Sequence, residues 1–229
     1  MLPVRDNLKA DEPPVVTYAL VALLVGIYIW DRGWNLFGNS VAFADLALRP
    51  AEITSVLGGR GDVSDLRKLF TSMFMHANVP HIIANGFFLA VFGPNVEAAI
   101  GGWRFALYYL FWGVAASAAQ ILSDPTSAVP VLGASGAIGG VLGAYFLLFP
   151  GNRVRVIVPP FFLWPFSVVA WVLLGVWFLT QLLLPQDGVA TWAHAGGFVA
   201  GMLTVQVMGG RLAVLANRKF DVDKEFEDE

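Results

Sequence analysis

Residues Val131 to Tyr145 read VLGASGAIGGVLGAY. One hydroxyl, Ser135, stands between Gly133 and Gly136 at the mouth of an apolar run that continues to Pro150. Alone, a serine entering an apolar helix is an ordinary packing residue. Its company changes the reading. The chain has three histidines, and each lies at the start of an apolar segment: His76 and His81 before one, His194 before another. If those starts converge on one side of a membrane, they build a serine hydrolase site there.

Composition sets the class. The chain of 229 residues is 57% hydrophobic and 14% charged, with a mean hydropathy of +0.66. The apolar excess falls in long blocks rather than alternating faces, which indicates an all-α polytopic membrane protein in a lipid bilayer. The absence of cysteine excludes disulfides, a thiolate nucleophile and cysteine-bound zinc. A net charge of -3 without a basic stripe gives no sign of nucleic acid. No HExxH motif uses the histidines for zinc, so neither metal nor cofactor is expected.

Taken in order, residues 1–14 form a polar, cytoplasmic N-terminal segment in which Asp6, Asp11 and Glu12 spoil the basic region of a secretory signal. Six spans are predicted across residues 15–208: Val15–Trp30, His81–Ala99, Trp103–Leu122, Ala134–Phe149, Phe161–Leu184 and Trp192–Met208. The connection from Asp31 to Pro80 is long and only moderately hydrophobic, and reads as short helices and turns at the membrane interface. Residues 209–229 form a charged cytoplasmic tail, ending in FDVDKEFEDE, that is expected to fray. Trp103 and Trp164, near segment ends, fit interfacial anchoring.

Charge orients the bundle. The short connections after spans two and four hold Arg104, Arg153 and Arg155, and those after spans three and five hold no arginine or lysine. Arg5 and Lys9 precede the first span, and Arg211, Arg218, Lys219 and Lys224 follow the last. Both termini are therefore cytoplasmic. Spans two, four and six then all begin at the outer face, with His81 and Asn85 on the first, Ser135 on the second and His194 on the third. His81 and Asn85, four residues apart, project from one helical face.

The fourth run is short. Its 16 residues reach about 24 Å at ~1.5 Å per residue, against a hydrocarbon core of about 30 Å. With Pro150–Arg153 at the inner surface, Ser135 lies below the outer one, and the SDPTSAVPVLG stretch descends to it as extended chain. Irregular backbone at that depth needs surrounding protein or a wet cavity. Gly136 with Gly140, Gly139 with Gly143, and Gly197 with Gly201 supply small-residue faces on spans four and six. Close approach of those two spans brings Ser135 within reach of His194.

These residues carry a family resemblance. Gly133-Ala134-Ser135-Gly136, the pattern His76-x4-His81-x3-Asn85, and Ala193-His194-Ala195-Gly196-Gly197 leading to Gly201 resemble the rhomboid intramembrane serine proteases over nearly the whole chain. The resemblance implies Ser135 as nucleophile and His194 as general base, a dyad with no aspartate to orient the ring. It implies Asn85 as an oxyanion-hole donor, completed by His81 and the Ser135 N–H. His76 matches a further family position, structural or in the water-access region rather than catalytic.

Two departures are visible. The Trp-Arg pair often found in the first connection is missing, the nearest residues being Arg67-Lys68. The aromatic residue that many members place one turn after the serine is Gly139 here, and Trp192 is expected to shelter the imidazole instead. The resulting expectation is a six-helix protease of a prokaryotic inner membrane, its site opening toward the outer side. It would cut transmembrane protein substrates in or beside their spans, at unwound segments with small residues. A catalytically silent rhomboid-like scaffold for membrane clients is the alternative, although its usual mark is a missing serine or histidine. A small transporter would show charges at mid-span, and these spans hold almost none.

Overall fold

The computed structural model describes residues 2–10, 13–39, 43–158, 162–184, 189–216 and 218–222. Each of the six apolar runs holds one long helix: α1 (Val15–Asp31), α5 (Val79–Ile100), α6 (Gly102–Ser123), α7 (Ser135–Leu148), α8 (Ala170–Leu183) and α9 (Thr191–Val207). Among its described residues the long connection carries three short α-helices, α2 (Phe43–Leu46), α3 (Pro50–Leu57) and α4 (Lys68–Thr71), and α10 (Gly210–Leu215) follows the last run. Among the described residues, α5 and α6, at 22 residues each, are long and apolar enough to cross a membrane.

The chain is mostly helical but not all-α. Among the described residues five short strands form: β1 (Leu2–Asp6), β2 (Leu8–Ala10), β3 (Arg153–Val158), β4 (Phe162–Val169) and β5 (Phe220–Val222). An antiparallel sheet in the order β1-β3-β4 and a β2–β5 pair draw the N-terminal segment and part of the tail together. The fifth apolar run is thus half strand, and its helix starts at Ala170 rather than Phe161, which itself lies outside the described residues. Trp164 precedes Pro165 and is held extended by it, and Pro165 sits on an edge strand, where a missing N–H is tolerated. Arg153–Val158 alternates arginine with valine before Ile157, a β-branched pattern that suits a pleated ladder. In the tail, Phe220–Val222 is paired, not frayed; residues 223–229 lie outside the described residues.

Local chemistry sets the helix ends. Asn78 caps α5 by accepting the His81 N–H at 2.9 Å, with Pro80 in the first turn. Gly101, at φ +88, closes α5 and opens α6, a backbone turn that a β-carbon would strain. Helix α1 has no cap of its own. Instead Glu97 of α5, buried, accepts from the Val16 and Thr17 N–H groups at 2.9 and 2.7 Å and from Thr17 Oγ1 at 2.7 Å. A carboxylate at a helix N-terminus satisfies orphan donors and meets the positive end of the dipole.

Helix α7 is the axis of the bundle, buried along most of its length between α6 and α9. A β-carbon on Gly201 would run into the Gly140 carbonyl, one on Gly197 into that of Gly136, and one on Gly143 into that of Phe198. Backbone therefore packs on backbone. On the other flank Gly140 receives the face of Trp112, whose Nε1–H donates to Thr204 Oγ1 at 2.9 Å. At the far end from Ser135, the buried Asp6 carboxylate accepts from Asn95 Nδ2 at 2.5 Å and from Tyr145 Oη at 2.7 Å, tying β1 to α5 and α7.

Two outcomes follow from this packing. Gly201→Val drives a side chain into the Gly140 backbone and costs about 3 kcal/mol or more of stability. Gly26→Ala, where nothing lies within 4 Å, leaves thermal unfolding in detergent unchanged or slightly raised. Burial pushes the Asp6 carboxyl up from 3.8 to about 6, against the hydrogen bonds from Tyr145 and Asn95. A raised folded-state pKa means this contribution to stability is complete below about pH 4 and lost as pH rises through about 6. Stability against unfolding, measured from pH 4 to 7, should therefore fall more steeply for the wild type than for Asp6→Asn, and equal slopes would contradict it.

Candidate active site

The strand of chain that descends to Ser135 is held by the long connection. Leu48 and Val131 exchange both backbone hydrogen bonds, at 2.9 and 2.7 Å, and Ala51 N–H donates to Ser127 O at 3.0 Å. Gly133 N–H donates to Ser72 O at 2.9 Å. Gly133 takes φ +118, and a β-carbon there would lie 2.7 Å from His81 Cε1 and Nε2. Glycine is thus required twice, by the turn and by the ring against it. The next residue, Ala134, donates its N–H to His76 Nε2 over a long 3.5 Å, and Ser135 then opens α7.

From α9, His194 Nε2 meets Ser135 Oγ at 2.8 Å. The backbone contact of α7 with α9 makes this possible: a β-carbon on Gly139 would sit 2.8 Å from His194 O. That leaves no room for an aromatic residue at position 139. The shelter for the imidazole comes instead from Trp177 of α8, 5.8 Å between ring centroids and tilted by 33°. Trp192, the sequence-based expectation for this role, is 52% exposed and lines a separate apolar groove of 820 Å³ with Phe111, Ala115 and Val199. Two residues before His194 on a helix is a rotation of about 200°, which turns Trp192 to the opposite face. On its other nitrogen, His194 Nδ1 contacts Gln181 Oε1 of α8 at 2.7 Å.

Helix α5 supplies the facing wall. Asn85 is buried, and its Nδ2 has no hydrogen-bond partner among the described residues. The same nitrogen lies 3.6 Å from the position of a Gly133 β-carbon, beside the serine loop. A buried amide donor without a partner is costly unless something arrives to accept from it. Ser135, His194, His81, Asn85, Phe88 and Trp177 line one cavity of 390 Å³. The three helices α5, α7 and α9 therefore bring all four sequence-predicted residues to one place.

His76 is buried and packs edge-on against His81 at 5.1 Å; it faces Ala134 rather than the cavity. The segment it begins is anchored by Arg32 at the end of α1, whose Nη2 donates to the carbonyls of His76 and Ala77, both at 2.7 Å. Lys68 makes a different, internal clamp within the connection, to Glu52 at 2.7 Å and Asp65 at 2.8 Å. Sequence reasoning missed Gln181, Trp177 and Arg32. The available signal for the first was its polarity: Thr180 and Gln181 are the hydrogen-bonding side chains at the end of an otherwise apolar helix apart from its tryptophans.

A helical protein with two membrane-length helices and a serine–histidine pair sunk between glycine-packed helices belongs to a narrow class. A family model, the Rhomboid domain, matches residues 63–211, and the chain is a member of the rhomboid family and an integral membrane protein. Over 144 residues it is 44% identical to Rhomboid-like protein 11, chloroplastic, of Arabidopsis thaliana, covering 63% of this chain and 46% of that one. It is 30% identical over 201 residues to Rhomboid-related protein 2 of Mus musculus, covering 83% and 62%. The third, Rhomboid protease GluP of Bacillus subtilis, is 30% identical over 140 residues, covering 61% and 26%. The chain thus spans between about a quarter and three fifths of these relatives' lengths. Their names cover chloroplast, mouse and bacterium, so membership in the family does not by itself select a prokaryotic inner membrane.

Gly133→Ala must push the His81 ring aside or unwind the turn. In ¹⁵N-histidine-labelled protein the His81 side-chain resonances move on this substitution. They stay in place for Gly151→Ala, where no atom lies within 4 Å of the new methyl group.

Proposed function

We propose that the protein is an intramembrane serine endopeptidase that hydrolyses peptide bonds in or beside the transmembrane segments of other membrane proteins. The single observation that carries this reading is the 2.8 Å contact between Ser135 Oγ and His194 Nε2 inside a cavity that also holds the unpartnered amide of Asn85. Two relatives carry the word protease in their names.

In this reading Ser135 donates its proton to His194 Nε2 while its oxygen attacks the scissile carbonyl carbon. Negative charge gathers on the carbonyl oxygen, and Asn85 Nδ2, the Ser135 N–H and His81 provide donors for it. The first-turn N–H groups of α7 have no intrahelical acceptors, so the positive end of that helix faces the same charge. His194 passes the proton to the leaving amine, and the acyl group stays on Ser135. Water, activated by the same imidazole, then releases the acid.

The shape and lining of the cavity support this substrate class. Its walls, including Phe88, Leu132, Ile138, Leu142 and Trp177, are apolar, and 390 Å³ admits a short unwound segment with small side chains rather than an intact helix. An α-helix would in any case hide its carbonyls from attack. The six long helices are read as six spans of a prokaryotic inner membrane; the arginine and lysine distribution supports the orientation alone, with both termini cytoplasmic and the cavity opening outward.

Purified protein in detergent, incubated with a generic transmembrane substrate and EDTA, tests this. Wild type cuts, Ser135→Ala and His194→Ala fall to background while folded, and Asn85→Ala loses about 10²–10³-fold in kcat. A folded wild type that neither cuts nor takes a fluorophosphonate label at Ser135 would overturn the proposal in favour of a client-binding scaffold.

A further inference from the structure

A neutral imidazole accepts the Ser135 proton only through a bare Nε2, so its own proton must sit on Nδ1. Whatever faces Nδ1 therefore decides whether the pair is competent. That neighbour is the side-chain amide of Gln181, and which end of the amide points at the ring can be worked out from its other contacts. Gln181 Nε2 lies 3.4 Å from the Trp177 carbonyl oxygen and 3.3 Å from Thr180 Oγ1. A carbonyl has only lone pairs, so the amide atom beside it has to be the NH₂ group. Thr180 donates its own proton to the same carbonyl at 2.6 Å, which leaves its oxygen as an acceptor. Both neighbours turn the amide the same way, with Oε1 toward His194 at 2.7 Å. An oxygen at that distance calls for N–H on Nδ1, and the lone pair of Nε2 is then aimed at Ser135 Oγ, 2.8 Å away.

We infer that Gln181 is a positioning residue that locks His194 in the Nδ1–H tautomer, so that the imidazole is oriented by a third, hydrogen-bonded group rather than standing in an isolated dyad. The inference rests on the Ser135–His194 reading proposed above. A neutral amide does this without placing a second charge at membrane depth, where an ionised carboxylate is expensive. Its placement adds a consequence. Gln181 and Trp177 lie one helical turn apart on α8, so one helix both packs a tilted ring against the imidazole and fixes its proton, while Ser135 is held by α7. Displacing α8 would release the ring from both restraints and leave the backbone contact of α7 with α9 intact.

The test uses full-length protein labelled with ¹⁵N-histidine, which has only three histidines to assign. Gln181→Met keeps the length and removes the acceptor; Gln181→Glu keeps an acceptor oxygen when read at a pH where its carboxyl is ionised, since a neutral carboxyl would donate to Nδ1 instead. Wild type and Gln181→Glu should show His194 protonated on Nδ1, and Gln181→Met a shift toward the Nε2–H tautomer. Alongside, Gln181→Met loses between about 10-fold and 10⁴-fold in kcat, the upper figure being the loss when a triad histidine is held in the wrong tautomer. KM changes little, and Gln181→Glu recovers most of the rate. An unchanged tautomer in Gln181→Met, or a wild-type ring already protonated on Nε2, overturns the inference. The spectra are read whether or not the protein cuts, so a wild type without activity would sink the protease reading alone.

Discussion

The contact of the α7 backbone with the α9 backbone is the constraint on which everything else depends. Gly136, Gly140 and Gly143 face Gly197, Gly201 and Phe198 so closely that a single β-carbon would meet a carbonyl. In lipid, helices gain little from hiding apolar surface, so close van der Waals fit is what holds them together. The same fit sets the height and separation of Ser135 and His194. Side chains of ordinary size in this seam would part the helices by ångströms, and a hydrogen bond of 2.8 Å has no tolerance for that.

A polar site at this depth has to account for each donor and acceptor. Most are paired internally: Ala134 N–H with His76, Gly133 N–H with Ser72 O, the His76 and Ala77 carbonyls with Arg32, and His194 with both Ser135 and Gln181. Asn85 Nδ2 and His76 Nδ1 are buried without a hydrogen-bond partner among the described residues, and of the two residues Asn85 lines the cavity. An amide left unmatched beside Ser135 is the donor that the proposed hydrolysis would direct at a carbonyl oxygen as it becomes tetrahedral and charged. The remainder of the long connection serves this arrangement, since the Leu48–Val131 bridge and the Lys68 clamp keep the irregular approach to Ser135 in one conformation. At the opposite end, the Asp6 cluster joins β1 to α5 and α7, so the two ends of α7 are fixed by unrelated chemistry.

Much of this was legible in the chain. The six apolar runs located six helices to within a few residues except in the fifth, where a β-branched and aromatic stretch interrupted by Pro165 became strand. Short apolar runs do not distinguish strand from buried helix by periodicity, and here the pairing partner, β3, is itself held on its other edge by β1, some 150 residues away in sequence. The four polar residues at the starts of the second, fourth and sixth runs were also legible, because hydrogen-bonding groups are rare in such segments and their positions stand out. Trp192 was misjudged as the shelter of His194 for the opposite reason: neighbours in sequence on a helix point to different faces, and Trp177 reaches the ring from another helix.

What the sequence by itself determined is therefore the class of protein, the order of its apolar helices, and the choice of Ser135, His194, Asn85 and His81 as the polar residues that meet in one cavity. Those follow from composition, spacing and motif, which are properties of single segments. Only the tertiary structure decided what surrounds them: that α7 and α9 touch through bare backbone, that Glu97 caps a helix 80 residues before it, and that Gln181 faces the free nitrogen of His194. These are contacts between segments, set by the rotation of each helix about its axis and by side-chain rotamers. Neither is written in the pattern of any one segment, because an apolar helix in lipid has no wet face to fix its orientation, and its partners alone choose it.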